Sequence, residues 1–281
     1  MSITRRKLIL GTAAMGAASA AMRSGLAADT APSAAKAFTV EDTKAKLVQV
    51  YASKGSKPVK AVSIISGHQF NGGLNFDERM PAVTQPAYVF QPSARVEDVA
   101  KKNNPGTLPI FTIFKSSVKK STSLADRLKL NIEVLTIEFG LKPELLKVTS
   151  TEMVRPHSKI FLNYGIAETQ IRLRPVEQAK SAGDGSGWFA PAGHPHVNGH
   201  ATFSFEYKMP DGSELEIAEV DLDTMYSATG VERLTMARNN AYFTWNDYLP
   251  AFKQAVEADA RNNKKKLPPG YYTILGQPQP A

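Results

Sequence analysis

The sequence predicts an α+β domain: an antiparallel sheet of about six strands flanked by helices. Three observations lead there. Segments of strict apolar–polar alternation, clearest at 201–208 (Ala-Thr-Phe-Ser-Phe-Glu-Tyr-Lys), are bounded by turn residues rather than by crossover helices. Helical periodicity is concentrated in long stretches, above all 124–139 and 245–261, which argue against a closed β-barrel. A 281-residue chain that is 42% apolar, 21% charged and 9% aromatic has the material for one large core.

The elements follow in order. Residues 40–53 read as a short amphipathic helix, and the β-branched run 59–65 as a strand. Residues 67–73 form a loop. Strands at 87–91 and 108–114, joined across the polar turn Lys101-Lys102-Asn103-Asn104-Pro105-Gly106, form a hairpin. Leu124, Leu128, Leu130, Ile132, Leu135 and Phe139 fall on a helical pattern that stops at Gly140. A strand at 145–150, a second short helix at 153–164, and Ile171 and Leu173 alternating with arginines come next. After a glycine-rich bend at 181–188, strand 201–208 turns at Pro210-Asp211-Gly212-Ser213 and returns over 215–220. Helices at 234–241 and 245–261 close the chain.

Composition also excludes classes of chemistry. With no cysteine there is no disulfide, thiolate zinc site, iron–sulfur cluster or cysteine nucleophile. The net charge of +8 is concentrated at one end: residues 1–28 carry Arg5, Arg6, Lys7, Arg23 and no acid, and without them 30 basic and 26 acidic residues remain. That balance is too mild to indicate nucleic acid, and Lys264-Lys265-Lys266 reads as a solvated helix end.

Residues 1–28 have the layout of an export signal. Thr4-Arg5-Arg6-Lys7 is a basic head, an Ala/Gly-rich apolar stretch follows, and Ala27-Ala28 offers a small-residue cleavage site. The paired arginines resemble the twin-arginine type, which implies the export machinery as a partner and the periplasm as the destination. The expected organisation is a signal at 1–28, an Ala/Pro linker at 29–38 and one domain at 39–281.

Two segments carry the expected chemistry. Gln91-Pro92-Ser93-Ala94-Arg95-Val96-Glu97-Asp98 leaves one hairpin strand, and Gly230-Val231-Glu232-Arg233-Leu234 opens a helix. Guanidinium groups are planar, permanently charged and bidentate, so Arg95 and Arg233 suit a polyphosphate gripped from two sides. This ordered pair resembles motifs two and three of class II aminoacyl-tRNA synthetases, most closely the catalytic core of the archaeal type of alanyl-tRNA synthetase. The matching residues are Gln91, Pro92, Ser93, Arg95, Asp98, Phe111, Phe114, Gly230, Glu232, Arg233 and Leu234, and the likeness runs over roughly 80–240.

The resemblance implies ATP with magnesium as cofactor, held by Arg95, Asp98, Phe111, Glu232 and Arg233, with Arg95 and Arg233 catalytic. It implies a substrate pocket at Trp188, Gly193 and Tyr226, and activation of a small amino acid or related acid as its adenylate, for a carrier or peptide acceptor. A homodimer is among the expected assemblies. Tyr226 stands where the family has an aspartate that holds the amino group of alanine. A phenol pairs poorly with an ammonium group and better with a carboxylate, hydroxyl or carbonyl, so alanine is not the expected ligand. With the sequence ending at 281, tRNA charging is not expected.

The histidines offer a competing expectation. His194, His196 and His200, with Glu206 on the following strand, are a candidate divalent-metal set, because imidazoles at i and i+2 of an extended segment point the same way.

Overall fold

The computed structural model describes residues 37–61, 63–65, 85–94, 96–101, 103–182, 186–189, 199–222, 225–267 and 269–280. They belong to a unit spanning Ala37–Ala281. The fold is α+β, as the sequence predicts, but its sheet has nine strands rather than about six.

Helix α1 (Val40–Ser53) starts in a capping box: the Thr39 hydroxyl accepts from the Asp42 amide, and the Asp42 carboxylate accepts from the Thr39 amide. Strand β1 (Lys57–Pro58) runs parallel to β2 (Ala87–Ala94), which pairs antiparallel with β3 (Ile110–Ser117) over eight residue pairs. This is the expected hairpin, with a 3-10 turn at Val96–Lys101 inside its connection. Helix α2 (Leu124–Glu133) is capped by Ser123 and runs on as a π-turn over Val134–Glu138. It ends at Gly140, whose φ of +63° closes the turn as only glycine does cheaply.

The remaining strands are β4 (Leu146–Thr151), β5 (Ile171–Arg174), β6 (Trp188–Phe189), β7 (His200–Lys208), β8 (Glu214–Asp221) and β9 (Tyr226–Gly230). The order across the sheet is β1-β2-β3-β9-β8-β7-β4-β5, with β6 on β7. Among the described residues only β1–β2 and β4–β5 are parallel. The remaining helices are α3 (Lys159–Leu162), α4 (Val176–Ala182), α5 (Val231–Asn239), α6 (Trp245–Asn262) and α7 (Pro269–Leu275).

Three element expectations are corrected. The run 59–65 is not a strand: after the Val59 amide donates to the Tyr88 carbonyl the chain leaves the sheet, and Ile64 packs with α6 and α7. The helix expected over 153–164 splits into a 3-10 turn (Glu152–His157) and α3, with Pro156 breaking the amide series. Helix α6 is not the last, because α7 follows it.

Alternation gives the sheet two unlike faces. Val148, Phe203, Phe205, Val220 and Phe114 point toward α1, α2 and α5, where Leu47, Tyr51, Leu128, Ile132, Val231 and Leu234 complete the core. Tyr51 meets Phe114 edge-on with ring centroids 4.8 Å apart. By register the opposite face carries Lys115, Tyr226, Glu219, Asp221, Thr202, Ser204, Glu206 and Thr149. A second, smaller core joins Ile64 and Ile110 to Trp245, Phe252, Val256, Tyr271 and Ile274.

Phe203 has no solvent exposure and belongs to the large core, on β7 between β8 and β4. Phe203→Ala is expected to cost about 3–5 kcal/mol, read as a fall in the urea midpoint at unchanged slope; a change below 1 kcal/mol would place the core elsewhere.

Candidate functional site

Strand β3 lies between the two expected motif segments and pairs with both sides: with β2, which ends in the first, and with β9, which leads into the second. β3 of the hairpin pairs with β9, the strand that runs into α5, with Ile113 opposite Gly230 and Phe114 opposite Thr229. Strand β9 ends at Gly230, which is the N-cap of α5. Successive helical residues project about 100° apart, so Glu232 and Arg233 leave the first turn in different directions.

Glu232 turns inward and is fully buried. One carboxylate oxygen accepts from the Thr112 amide at 2.7 Å and the other from the Tyr248 hydroxyl. Burial raises its pKa above the usual glutamate value, against the pull of those two donors. Its place is thus between β3 and α6. Arg233 turns toward the polar face. Its Cζ lies 5.9 Å from the centroid of the Phe111 ring, and its Nη1 lies 3.7 Å from a Glu216 carboxylate oxygen. Arg233 and Phe111, expected to share one ligand, are therefore neighbours. Asp98 is half-buried in the 3-10 turn after β2, with Lys101 Nζ 4.0 Å away. Arg95 lies outside the described residues.

The other end of the polar face holds Tyr226, opposite Ser117 on β3. Lys115 Nζ lies 4.5 Å from the Tyr226 ring centroid. Beside them on β8 are Glu219 and Asp221, and Asp221 pairs with His200, Nε2 to Oδ1, at 3.2 Å. Glu219 is held well toward its protonated form, first by burial and then by the Glu216 and Asp221 carboxylates, while the Thr202 hydroxyl and Lys115 oppose the shift. Sequence reasoning missed Lys115 and Glu216: period-two spacing from Ser117, the partner of Tyr226, places Lys115 on this face, whereas Glu216 reaches it only through a bulge in the β7–β8 pairing that sets it opposite Glu206.

Trp188 does not join Tyr226. Its register partner is Ala201, whose neighbours Phe203 and Phe205 point into the helix-covered core, whereas Tyr226 is on the polar side. The small cavity expected around both residues is therefore replaced by two locations on opposite faces. Lys180 Nζ lies 4.9 Å from the Trp188 ring centroid, and Gly199 packs so tightly that a Cβ there would come within 2.3 Å of the indole nitrogen.

Of the histidine set, His194 and His196 lie outside the described residues, as does Gly193. His200 is engaged by Asp221 and faces Phe189 at a centroid distance of 5.2 Å. Glu206 is six residues further along β7, about 20 Å away at strand rise. It accepts from Thr149 Oγ1 at 3.0 Å and Ser186 Oγ at 3.2 Å. His200 and Glu206 are thus too far apart to share one ion, and among the described residues no three His, Asp or Glu form a metal-binding group.

The raised pKa of Glu219 fixes the sign of a pH effect. The native state keeps a proton that the unfolded chain releases near the ordinary glutamate value of 4.5, so stability declines as pH rises from there toward neutrality. Glu219→Gln is expected to flatten that decline, measured as urea midpoints between about pH 4.5 and 7.5; an unchanged slope would refute the assignment.

No protein-family model matches the chain, and no curated protein matches it. Among solved structures it is similar to apo histidyl-tRNA synthetase of S. aureus, with 13% sequence identity over 82% of this chain and 79% of that one, at a TM-score of 0.40. A superposition that loose carries no argument about function.

Proposed function

We propose that the chain binds ATP with magnesium on the polar face of its sheet and activates a small carboxylic acid as its adenylate. The observation that carries this reading is the contact of Arg233 with Phe111: β3 pairs with β9, and Arg233 of the following helix lies over the Phe111 ring. A guanidinium facing an aromatic ring is the pair that takes a planar heterocycle between its two surfaces. The shift needed is small, since two stacked contacts require about 7 Å and the present separation is 5.9 Å. Arg95, one residue beyond β2, would supply the second guanidinium toward the phosphates.

The acid would occupy the Tyr226 end. Lys115 over the Tyr226 ring gives that end a cation and a phenol, which suit a carboxylate or carbonyl better than an ammonium group. Phe111 and Ser117, the partner of Tyr226, are six residues apart on β3, about 20 Å at strand rise. A ligand touching both ends must be elongated, as an adenylated acid is. tRNA is not among the proposed partners; a carrier or peptide would accept the activated acid. Magnesium, when bound, would neutralise phosphate charge on this face.

ATP binding by calorimetry, followed by pyrophosphate exchange with a panel of amino, hydroxy and keto acids, tests this directly. A charge-assisted contact contributes about 1.5–3 kcal/mol, so Arg233→Ala is expected to weaken ATP about tenfold or more. Unchanged affinity in that variant would remove the reading. Binding without exchange would instead identify a non-catalytic ligand-binding protein.

The basic head and small-residue exit of residues 1–28 support a second proposal, twin-arginine export to the periplasm with cleavage near Ala27-Ala28. Because that route carries folded proteins, ligand loading would precede export. Replacing Arg5 and Arg6 by lysine is expected to leave the protein in the cytoplasm, assayed by fractionation; normal export of the double variant would refute it.

A further inference from the structure

A cavity of about 680 Å³ lies on the helix-covered side of the sheet, between the first turn of α1, the segment 60–64, the hairpin β2–β3 and α6. Pro92 and Thr112, which pair across the hairpin and contribute to its lining, belong to the side opposite Lys115 and Glu219. Its floor is apolar: Ile64, Ile110, Phe252 and Val256 are all buried. Its mouth is open at Ala251 and Ala255, which are exposed.

The charges on the rim are unequal in their partners. Lys44 is paired with Glu41 at 2.7 Å. Asp259 accepts from the Ser63 hydroxyl at 2.6 Å and from the Asn263 side-chain amide at 2.8 Å. Lys60 stands exposed on the same rim, and among the described residues it has no ion pair or hydrogen bond. The arrangement is an apolar chamber whose rim carries a cation without a partner among the described residues, Lys60, a carboxylate already held by two neutral donors, Asp259, and the amide groups of Asn262 and Asn263. An apolar molecule bearing a single negative charge is complementary to both parts.

We propose that this cavity is a binding site for a small apolar monoanion, an aryl or branched-chain carboxylate. Its hydrocarbon body would lie against Phe252, Val256 and Ile110, and its charged head would lie at Lys60. Phe111 lines this cavity as well as facing Arg233, but the charged head lies at Lys60 and the test uses no nucleotide, so its failure and that of the adenylation reading are separable.

The probe is 8-anilinonaphthalene-1-sulfonate, an aromatic monoanion, titrated into the full chain and followed by fluorescence. The expected result is a saturable, blue-shifted enhancement with one site per chain. Lys60→Glu reverses the lip charge at an exposed position and is expected to weaken the probe about fivefold or more at low ionic strength. Ala255→Trp, also at an exposed position, closes the mouth and is expected to abolish saturable binding. Circular dichroism and urea midpoints check that each variant folds; if Ala255→Trp does not, Lys60→Glu decides alone. A non-saturable signal, or equal affinity in wild type and the folded variants, overturns the proposal.

Discussion

The arrangement of the hairpin, the motif helix and the last long helix depends on one buried carboxylate. Glu232 joins the β3 backbone at Thr112 to Tyr248 on α6. Placing a carboxylate there is costly, and its raised pKa records that cost. Removing it would leave an amide and a phenol buried without partners, typically 1–3 kcal/mol each. The same contact fixes the rotation of α5 about its axis. With Glu232 held inward, Arg233 must emerge on the side of Phe111 and Glu216. Two further contacts hold α5 at its flank: Thr43 and Thr235 share a hydrogen bond of 2.6 Å, and the Asn239 side chain exchanges two bonds with the Phe38 backbone.

The polar face is governed by a different balance. Alternation along β7 and β8 sends Phe203, Phe205 and Val220 to one side, so Thr202, Ser204, Glu206, Glu219 and Asp221 are committed to the other. Several carboxylates then share a limited space. Glu206 is held by Thr149, Ser186 and Lys147, Glu216 by Arg233, and Asp221 by His200. Glu219, between Glu216 and Asp221, takes the burden of like charge by retaining its proton. One side of the sheet is thus fixed by packing and the other by paired charges.

Legibility in the sequence followed the strength of the local pattern. The strand over 201–208 and the helix over 124–139 were plain because each kept one period for two or more turns or pleats. Strands β1 and β6 were not, since two residues carry no period. The run 59–65 misled because β-branched composition reports a preference for extended, half-buried surface, and Ile64 finds that surface against α6 rather than in the sheet. Helix α7 was hidden by Pro269-Gly270, which reads as a stop although proline suits the first turn of a helix. The motif pair was legible as two segments. Their placement on either side of β3 depends on β9 inserting next to it, a pairing more than one hundred residues distant in sequence that no local pattern encodes. The opposite facing of Trp188 and Tyr226 was likewise invisible, because it is set by the register of a two-residue strand.

A ligand on the polar face would be constrained by length as well as by charge. At one end a guanidinium and a phenyl ring present parallel-capable planar surfaces. At the other, Lys115 lies over the Tyr226 ring beside a carboxylate that prefers to remain neutral. A protonated Glu219 can donate a hydrogen bond to an incoming carbonyl or carboxylate, whereas an ionised one would repel the same group. Burial of Glu219 therefore works in the same direction as the phenol of Tyr226, and both shift the preference of that end away from ammonium and toward acid. A molecule with a planar group at one end and an acyl group at the other meets both requirements at once, and a free amino acid, too short to span the strand, meets only one.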